Sequence, residues 1–340
     1  MAVSLASKVL IHPHFMEPEF LVQYNQHSGA FNTLPGGAPD VKLSPVDQVV
    51  YMKKLEFRGT AKASQVPGMQ LPGVSLIGSL IQTPTYFVRS RAEYDHHDAA
   101  NAGEWGLSIA EAYRLGQRQA HFILMRSALL YGINAAKGEG LLNTAGATAA
   151  TLPADPYGVT TISGGYDYGA MLDWLLGQFV SLRSRCYQYG QPSRFVFVGP
   201  QRILGTLETR GIIQLTQYQR PGAGVATVPE AIGHIIGAEG STFEWHYDDT
   251  LIGKGAGGTD AVLLVVPEFQ KPKPEGTNVI ANIKPGTTEA VRMYVDRAAP
   301  TEYTTPISGS ASGIDVISEQ KITSGWGIRP EALSILSMQY

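Results

Sequence analysis

From Ser108 to about Asn134, apolar residues recur at three- and four-residue steps: Ile109, Ala112, Tyr113, Gly116, Ala120, Ile123, Leu124 and Tyr131. That period places them on one face of a helix. No proline interrupts the run, and at 1.5 Å per residue it extends roughly 40 Å. Ser108 with Glu111 fits a capping box at its start. Glu111, Arg114, Arg118 and His121 fall on another face. That stripe reads as an ordinary solvated face with a Glu–Arg pair at i, i+3, or as a charged surface turned to a partner.

Upstream the period changes. VVYMKKLEFRG, where Val50, Met52 and Leu55 mix with charged residues, and VSLIGSLIQTPTYFVRSRAEY, rich in Val, Ile, Thr, Tyr and Phe, predict two long strands. Between them TAKASQVPGMQLPG carries two Pro-Gly steps, each a turn signal. The whole, 49–94, reads as a hairpin with a long tip. Lys53, Lys54, Arg58, Lys62, Arg89 and Arg91 outnumber Glu56 and Glu93 there. A small core has no use for such an arm, whereas a partner surface has. Before it, 1–48 reads as an extended arm in which Pro13, Pro18, Pro35, Pro39 and Pro45 break any long helix.

After the long helix comes a loop rich in Gly, Ala and Thr, then a helix over DYGAMLDWLLGQFVSLRSRCYQYG. RFVFVGP predicts a buried strand, QRILGTLETR and TVPEAIGHIIG short helices, and AVLLVVP a core strand beyond a glycine-rich turn. TEAVRMYVDRAAPTEYT and the last 29 residues suit further strands. Helices and strands mix without a βαβ repeat, which predicts an α+β fold.

Composition sharpens this picture. Charged residues are 16% of the 340, well below the usual quarter, while Gly (38) and Pro (21) are plentiful. So little charge suits a surface covered by other subunits, or a monomer rich in uncharged Ser, Thr and Gln. The net charge of -3 favours neither nucleic acid nor membrane in bulk. No run approaches the roughly 18 apolar residues of a membrane helix, and the first residues lack the pattern of a signal peptide. One cysteine, Cys186, excludes a disulfide framework and a thiolate zinc site.

Candidate chemistry is thin. Asp95-His96-His97-Asp98 has metal-ligand residue types. Four consecutive residues do not share a face, so the cluster reads as a polar junction in which Asp98 caps a helix. Gly253-Lys254-Gly255-Ala256-Gly257-Gly258 has a phosphate loop's composition but not its spacing. Cys186, with no His nearby in sequence, reads as packing. No nucleophile elbow or zinc-protease motif is present. No cofactor is expected.

The order of elements carries more. An arm, a basic hairpin, a capped spine helix and then Gly138-Glu139-Gly140-Leu141-Leu142-Asn143 resemble a tailed-phage major capsid protein of the Hong Kong 97-type fold. RFVFVGP, HYDDTLIGKGAGGTDAVLLVVP and a final strand before GIRPEAL fit the same order. The resemblance implies 1–48 as N-terminal arm, 49–94 as extended loop, 95–164 as peripheral domain with the spine helix, 165–311 as mainly axial domain, and 312–340 as the return to the peripheral domain. It implies that 253–258 lies at the crowded axial tip. It implies inter-subunit contacts at Lys53, Lys54, Arg58, Lys62, Arg89 and Arg91, and packaged double-stranded DNA near Arg114 and Arg118. It implies pentamers and hexamers of this chain in a virion assembled in the bacterial cytoplasm, with a portal and decoration proteins. The arm has no long charged helical pattern, so a scaffold is expected as a separate protein. Some relatives cross-link Lys to Asn, but 312–340 holds no Asn to meet Lys62. A nanocompartment shell of the same fold, an α+β enzyme with an unrecognised site, and a tail or adhesin protein are the rival readings.

Overall fold

The computed structural model describes residues 34, 43–59, 73–104, 106–186, 191–210, 212–213, 226–238, 240–270, 288–290, 293–294, 297–307, 313–327 and 329–340. The expected hairpin is there. Strand β1 (Val49–Gly59) pairs antiparallel with β2 (Val74–Tyr94), from Val49↔Pro84 to Gly59↔Val74. The hairpin tip, with Lys62, and nearly all of the N-terminal arm lie outside the described residues.

β2 is 21 residues long, about twice β1. Two helices follow it, α1 (His96–Glu104) and α2 (Ile109–Tyr131). Next come β3 (Thr148–Thr151), α3 (Tyr168–Cys186), β4 (Gln191–Gly199) and α4 (Gln201–Arg210). The two-residue strands β5 (Ile212–Ile213) and β6 (Ala226–Thr227) precede α5 (Val228–Ala238), β7 (Thr242–Tyr247) and β8 (Asp260–Gln270). β9 (Thr288–Ala290), β10 (Met293–Tyr294), β11 (Thr301–Pro306), β12 (Ile314–Thr323), β13 (Trp326–Gly327) and β14 (Leu333–Met338) complete the described elements. The fold is α+β.

Two sheets organise it. In the first, ordered β1-β2-β12-β11, the second half of β2 pairs with β12 from Thr85↔Thr323 to Tyr94↔Ile314. One strand therefore runs from a sheet out into the hairpin. The second sheet is ordered β3-β14-β8-β4-β7, with β9 also on β8. Its central strands are continuous apolar runs, Phe195–Val198 and Ala261–Val266, buried on both faces. Leu172, Leu175, Phe179 and Leu182 of α3 and Ile203, Leu204 and Leu207 of α4 pack into the same core. Each such side chain contributes about 1.5–3 kcal/mol on burial.

The spine helix differs from its expectation in three ways. It ends at Tyr131, three residues early, where Gly132 turns the chain at φ 72°. Ser108 has the extended backbone of an N-cap but its side chain makes no capping bond, and Glu111, which would complete the box, pairs with Arg114 at 2.6 Å. The buried face is also rotated. His121, expected on the polar stripe, is 4% exposed, whereas Leu124, expected inside, is 41% exposed. The first half of the helix lies on a sheet face whose backbone and hydroxyl groups need partners, so Gln117 and His121 turn inward.

Reciprocal capping occurs one helix earlier. Asp98 N donates to Asp95 Oδ1 at 2.8 Å, and Asp95 N donates to Asp98 Oδ2 at 3.2 Å. The two aspartates start α1, while the rings of His96 and His97 lie 4.0 Å apart. No helix among the described residues is long and apolar enough to cross a membrane.

Candidate functional site

The hairpin is a two-stranded ribbon, and such ribbons are marginal in water by themselves. Val74, Leu76, Gly78 and Leu80 alternate onto one face of β2, and Tyr51, opposite Gln82, shares that face. Val74 is 78% exposed and Leu80 64%, with Leu76 and Tyr51 nearly as open. Sequence reasoning singled out the basic residues and missed this apolar row, although its period of two was readable. The backbones of Lys53, Lys54 and Arg58 lie in β1, and their side chains lie outside the described residues.

Arg89 and Arg91 sit on the outer face of the first sheet, at the hairpin's base. Arg89 Nη2 lies 3.1 Å from Glu319 Oε1 on β12. Arg91 Nη2 meets Asp315 Oδ2 at 2.7 Å and Glu93 Oε1 at 2.5 Å. The bond to Asp315 raises the Arg91 pKa. Glu319 also accepts from Tyr303 at 3.0 Å, and these contacts hold its carboxyl below the usual range, Arg89 first. Exposed Phe87 lies under the charges of Arg89 and Lys321, at 5.3 and 4.5 Å. The result is a charge ladder neutralised within the chain. Exposed pairs of this kind stabilise little singly.

Arg114 and Arg118 converge on one carboxylate of β11. Glu302 lies 3.5 Å from Arg114 Nε and 3.3 Å from Arg118 Nη2. The Glu111–Arg114 pair at i, i+3 forms as well. Arg118 stays largely exposed despite its partner.

The Gly-x-Gly-Leu-Leu-Asn segment closes the end of the spine helix. A Cβ on Gly140 would lie 2.3 Å from Gly132 N, and one on Gly325 would lie 2.4 Å from Leu129 O. Three stretches of bare backbone thus meet where no side chain fits. Gly140 N donates to Gly325 O at 2.7 Å, and Gly325 N to Ala128 O at 2.8 Å. Asn143 Nδ2 donates to Tyr131 O at 2.8 Å, satisfying a terminal helix carbonyl. Leu141 is fully buried. Glu139 is buried too, and its two oxygens accept from Tyr86 and from Asn134 N.

A second junction holds the spine helix to the loop after β7. Arg126 Nη2 pairs with Asp248 Oδ1 at 2.8 Å, and the Asp248 side chain is fully buried. Tyr131 donates to Thr250 O at 2.5 Å, and Lys254 Nζ lies over the Tyr131 ring at 5.5 Å. Asp248 also caps a short 3-10 turn through Thr250 N at 3.2 Å. The segment 253–258, expected at a crowded tip, is largely exposed and is tied down through its backbone: Ala256 N donates to Ser337 Oγ at 2.9 Å and Gly253 N to Asp260 Oδ1 at 2.9 Å.

Cys186 is fully buried in the core, its Sγ 3.7 Å from Glu331 O. Burial pushes its thiol up to about 12. No group of three His, Cys, Asp or Glu among the described residues is placed to hold a metal ion.

No protein-family model and no curated protein matches the chain. Solved structures do. The capsid of Myoviridae Phage XM1 is similar with a TM-score of 0.63 and 13% identity, covering 96% of each chain. The capsid of an empty GTA particle is similar at TM-score 0.56 and 11% identity, over 99% of this chain and 100% of that one. The capsid of the Cyanophage P-SCSP1u is similar at TM-score 0.56 and 12% identity, over 96% of this chain and 93% of that one. The chain shares the fold of these capsid chains from end to end.

Proposed function

We propose that this chain is a phage major capsid protein that self-assembles into an icosahedral head of the Hong Kong 97 type around double-stranded DNA. One observation carries the reading beyond fold likeness: the hairpin holds an apolar row, Val74, Leu76, Leu80 and Tyr51, away from its own core. Chains rarely leave such a row open unless a partner covers it. A neighbouring copy is the partner the reading supplies. Its work is association, not catalysis, in pentamers and hexamers within a virion.

In this reading 1–48 is the arm, 49–94 the extended loop, 95–164 and 312–340 the peripheral domain, and 165–311 mainly the axial domain. Lys53, Lys54, Arg58 and Lys62 meet carboxylates of the adjacent subunit. Arg89 and Arg91, already paired at home, act as part of a neutral ladder and set docking orientation more than affinity. Arg118, and Arg114 beside it, neighbour packaged DNA through phosphates without reading sequence. A separate scaffold, a portal and decoration proteins complete the head, which is assembled in the host cytoplasm.

The test replaces 60–73 with a short Gly-Ser turn and, separately, makes Leu76→Ser with Leu80→Ser. Circular dichroism should show a folded chain, and electron microscopy, with scaffold supplied, should show no closed shells. Normal closed particles from both variants would remove the hairpin from assembly and take this reading with it. Isolated wild-type particles should hold DNA; an enzyme cargo in its place would make the shell a nanocompartment.

A further inference from the structure

Between α2 and the first sheet lies a polar seam. Ser90 of β2 and Ser318 of β12 are cross-strand partners on the sheet face turned to the helix. Gln117 Nε2 donates to Val316 O at 2.7 Å and to Ser90 O at 3.4 Å. One turn on, His121 Nε2 lies 3.0 Å from Ser90 Oγ. Gln117, His121, Ser318 and Gln320 are all buried. Gln117 Oε1 and Ser318 Oγ find no partner among the described residues. A seam built this way depends on a few directional bonds where apolar packing would be indifferent to pH.

The geometry points to an acid-sensitive latch: protonation of His121 releases the hairpin-bearing sheet from the spine helix. A neutral imidazole offers Ser90 either a lone pair or an N–H. The protonated ring can only donate, and it places a cation in a buried seam. The charged groups around it do not compensate. Glu302, on β11, is already held by Arg114 and Arg118, which lie on His121's own helix. On β2, Arg89 and Arg91 point to the opposite sheet face, as do Asp315, Glu319 and Lys321 on β12. What β12 presents inward is Ser318 and Gln320, both neutral.

Burial lowers the pKa of His121 from its ordinary value, and the charge of Glu302 pulls less strongly the other way. The folded state therefore favours the neutral ring. The latch is fully closed above the unfolded value of about 6.5 and is lost as pH falls through the lower folded one. The sheet that would move carries the hairpin, so acid would alter how that arm is presented. This consequence for a shell rests on the capsid reading, whereas the latch does not.

The test is hydrogen exchange followed by mass spectrometry on the full chain at about pH 7.5 and about pH 5. Rates are converted to protection factors to remove the intrinsic effect of pH. Segments 86–94, 113–125 and 314–322 should lose protection at the lower pH, while Ala261–Val266 of β8 keep theirs. His121→Gln should abolish that selective loss. Unselective loss, no loss, or a full acid response in His121→Gln would overturn the latch. Should that variant fail to fold, NMR titration of the wild-type imidazole decides: a value at or above the ordinary one overturns it. No shell is needed for either readout, so failure here leaves the capsid reading standing, and failure of shell assembly leaves the latch standing.

Discussion

Tyr86 donates its hydroxyl to Glu139 Oε1 at 2.7 Å. The bond joins the strand that carries the hairpin to the loop that closes the spine helix. Glu139 Oε2 meanwhile accepts from Asn134 N at 2.8 Å, so one buried carboxylate braces both. The pair reads as a strut that sets where the hairpin leaves the body.

Tyr86→Phe should therefore lower stability by about 1–3 kcal/mol, because the buried carboxylate loses a donor. Urea unfolding checks the magnitude. The phenol itself is pushed up to about 12, by burial first and then by the bond to Glu139 and its charge. Ultraviolet titration of the native chain should show a late-ionising tyrosine that is missing from the variant.

The two glycines of the helix-closing segment should respond very differently to alanine. Gly140→Ala drives a Cβ to 2.3 Å from the Gly132 backbone at φ 87° and should cost roughly 2–5 kcal/mol, from overpacking and the left-handed backbone together. At Gly138, with φ 74°, the nearest atom to an added Cβ is Asn143 O at 3.4 Å, so only the backbone cost of about 1–2 kcal/mol applies. Melting temperatures of the two variants, measured side by side, should differ clearly.

Arg126→Met should destabilise the chain by about 3 kcal/mol or more, since it takes the paired cation away from the buried Asp248 carboxylate. Asp248→Asn in the same chain should recover part of the loss. The pair is buried, so the effect should persist in high salt. Denaturation at two salt concentrations, run as a double-mutant cycle, measures both points.

Cys186 should resist alkylation in the native chain near pH 8, since burial leaves almost no thiolate and no access. In urea it should react at once. Mass spectrometry before and after denaturation reads this directly, and rapid native labelling would mean that the core around α3 opens.

What the sequence determined was local. The strand-forming residue types on either side of the Pro-Gly turns, and a period near 3.6 from Ile109 onward, act through local backbone geometry and hold whatever lies nearby. Hence the hairpin, the spine helix, the buried strands and the α+β class were readable, and the order of those elements already resembled a capsid chain. The fold likeness to solved capsids agrees with that order. Which side of each element turns inward was not readable, because the deciding atoms come from far along the chain. Gln117 is inside because Val316, 199 residues later, presents a carbonyl to it. Arg89 is paired within the chain because Glu319, 230 residues later, lies opposite on β12. The capping box expected at Ser108 does not form, and Glu111 pairs with Arg114. Only the tertiary structure brought Gly132, Gly140 and Gly325 together, because their close approach is a property of three backbones meeting and leaves no periodic signal in any one of them.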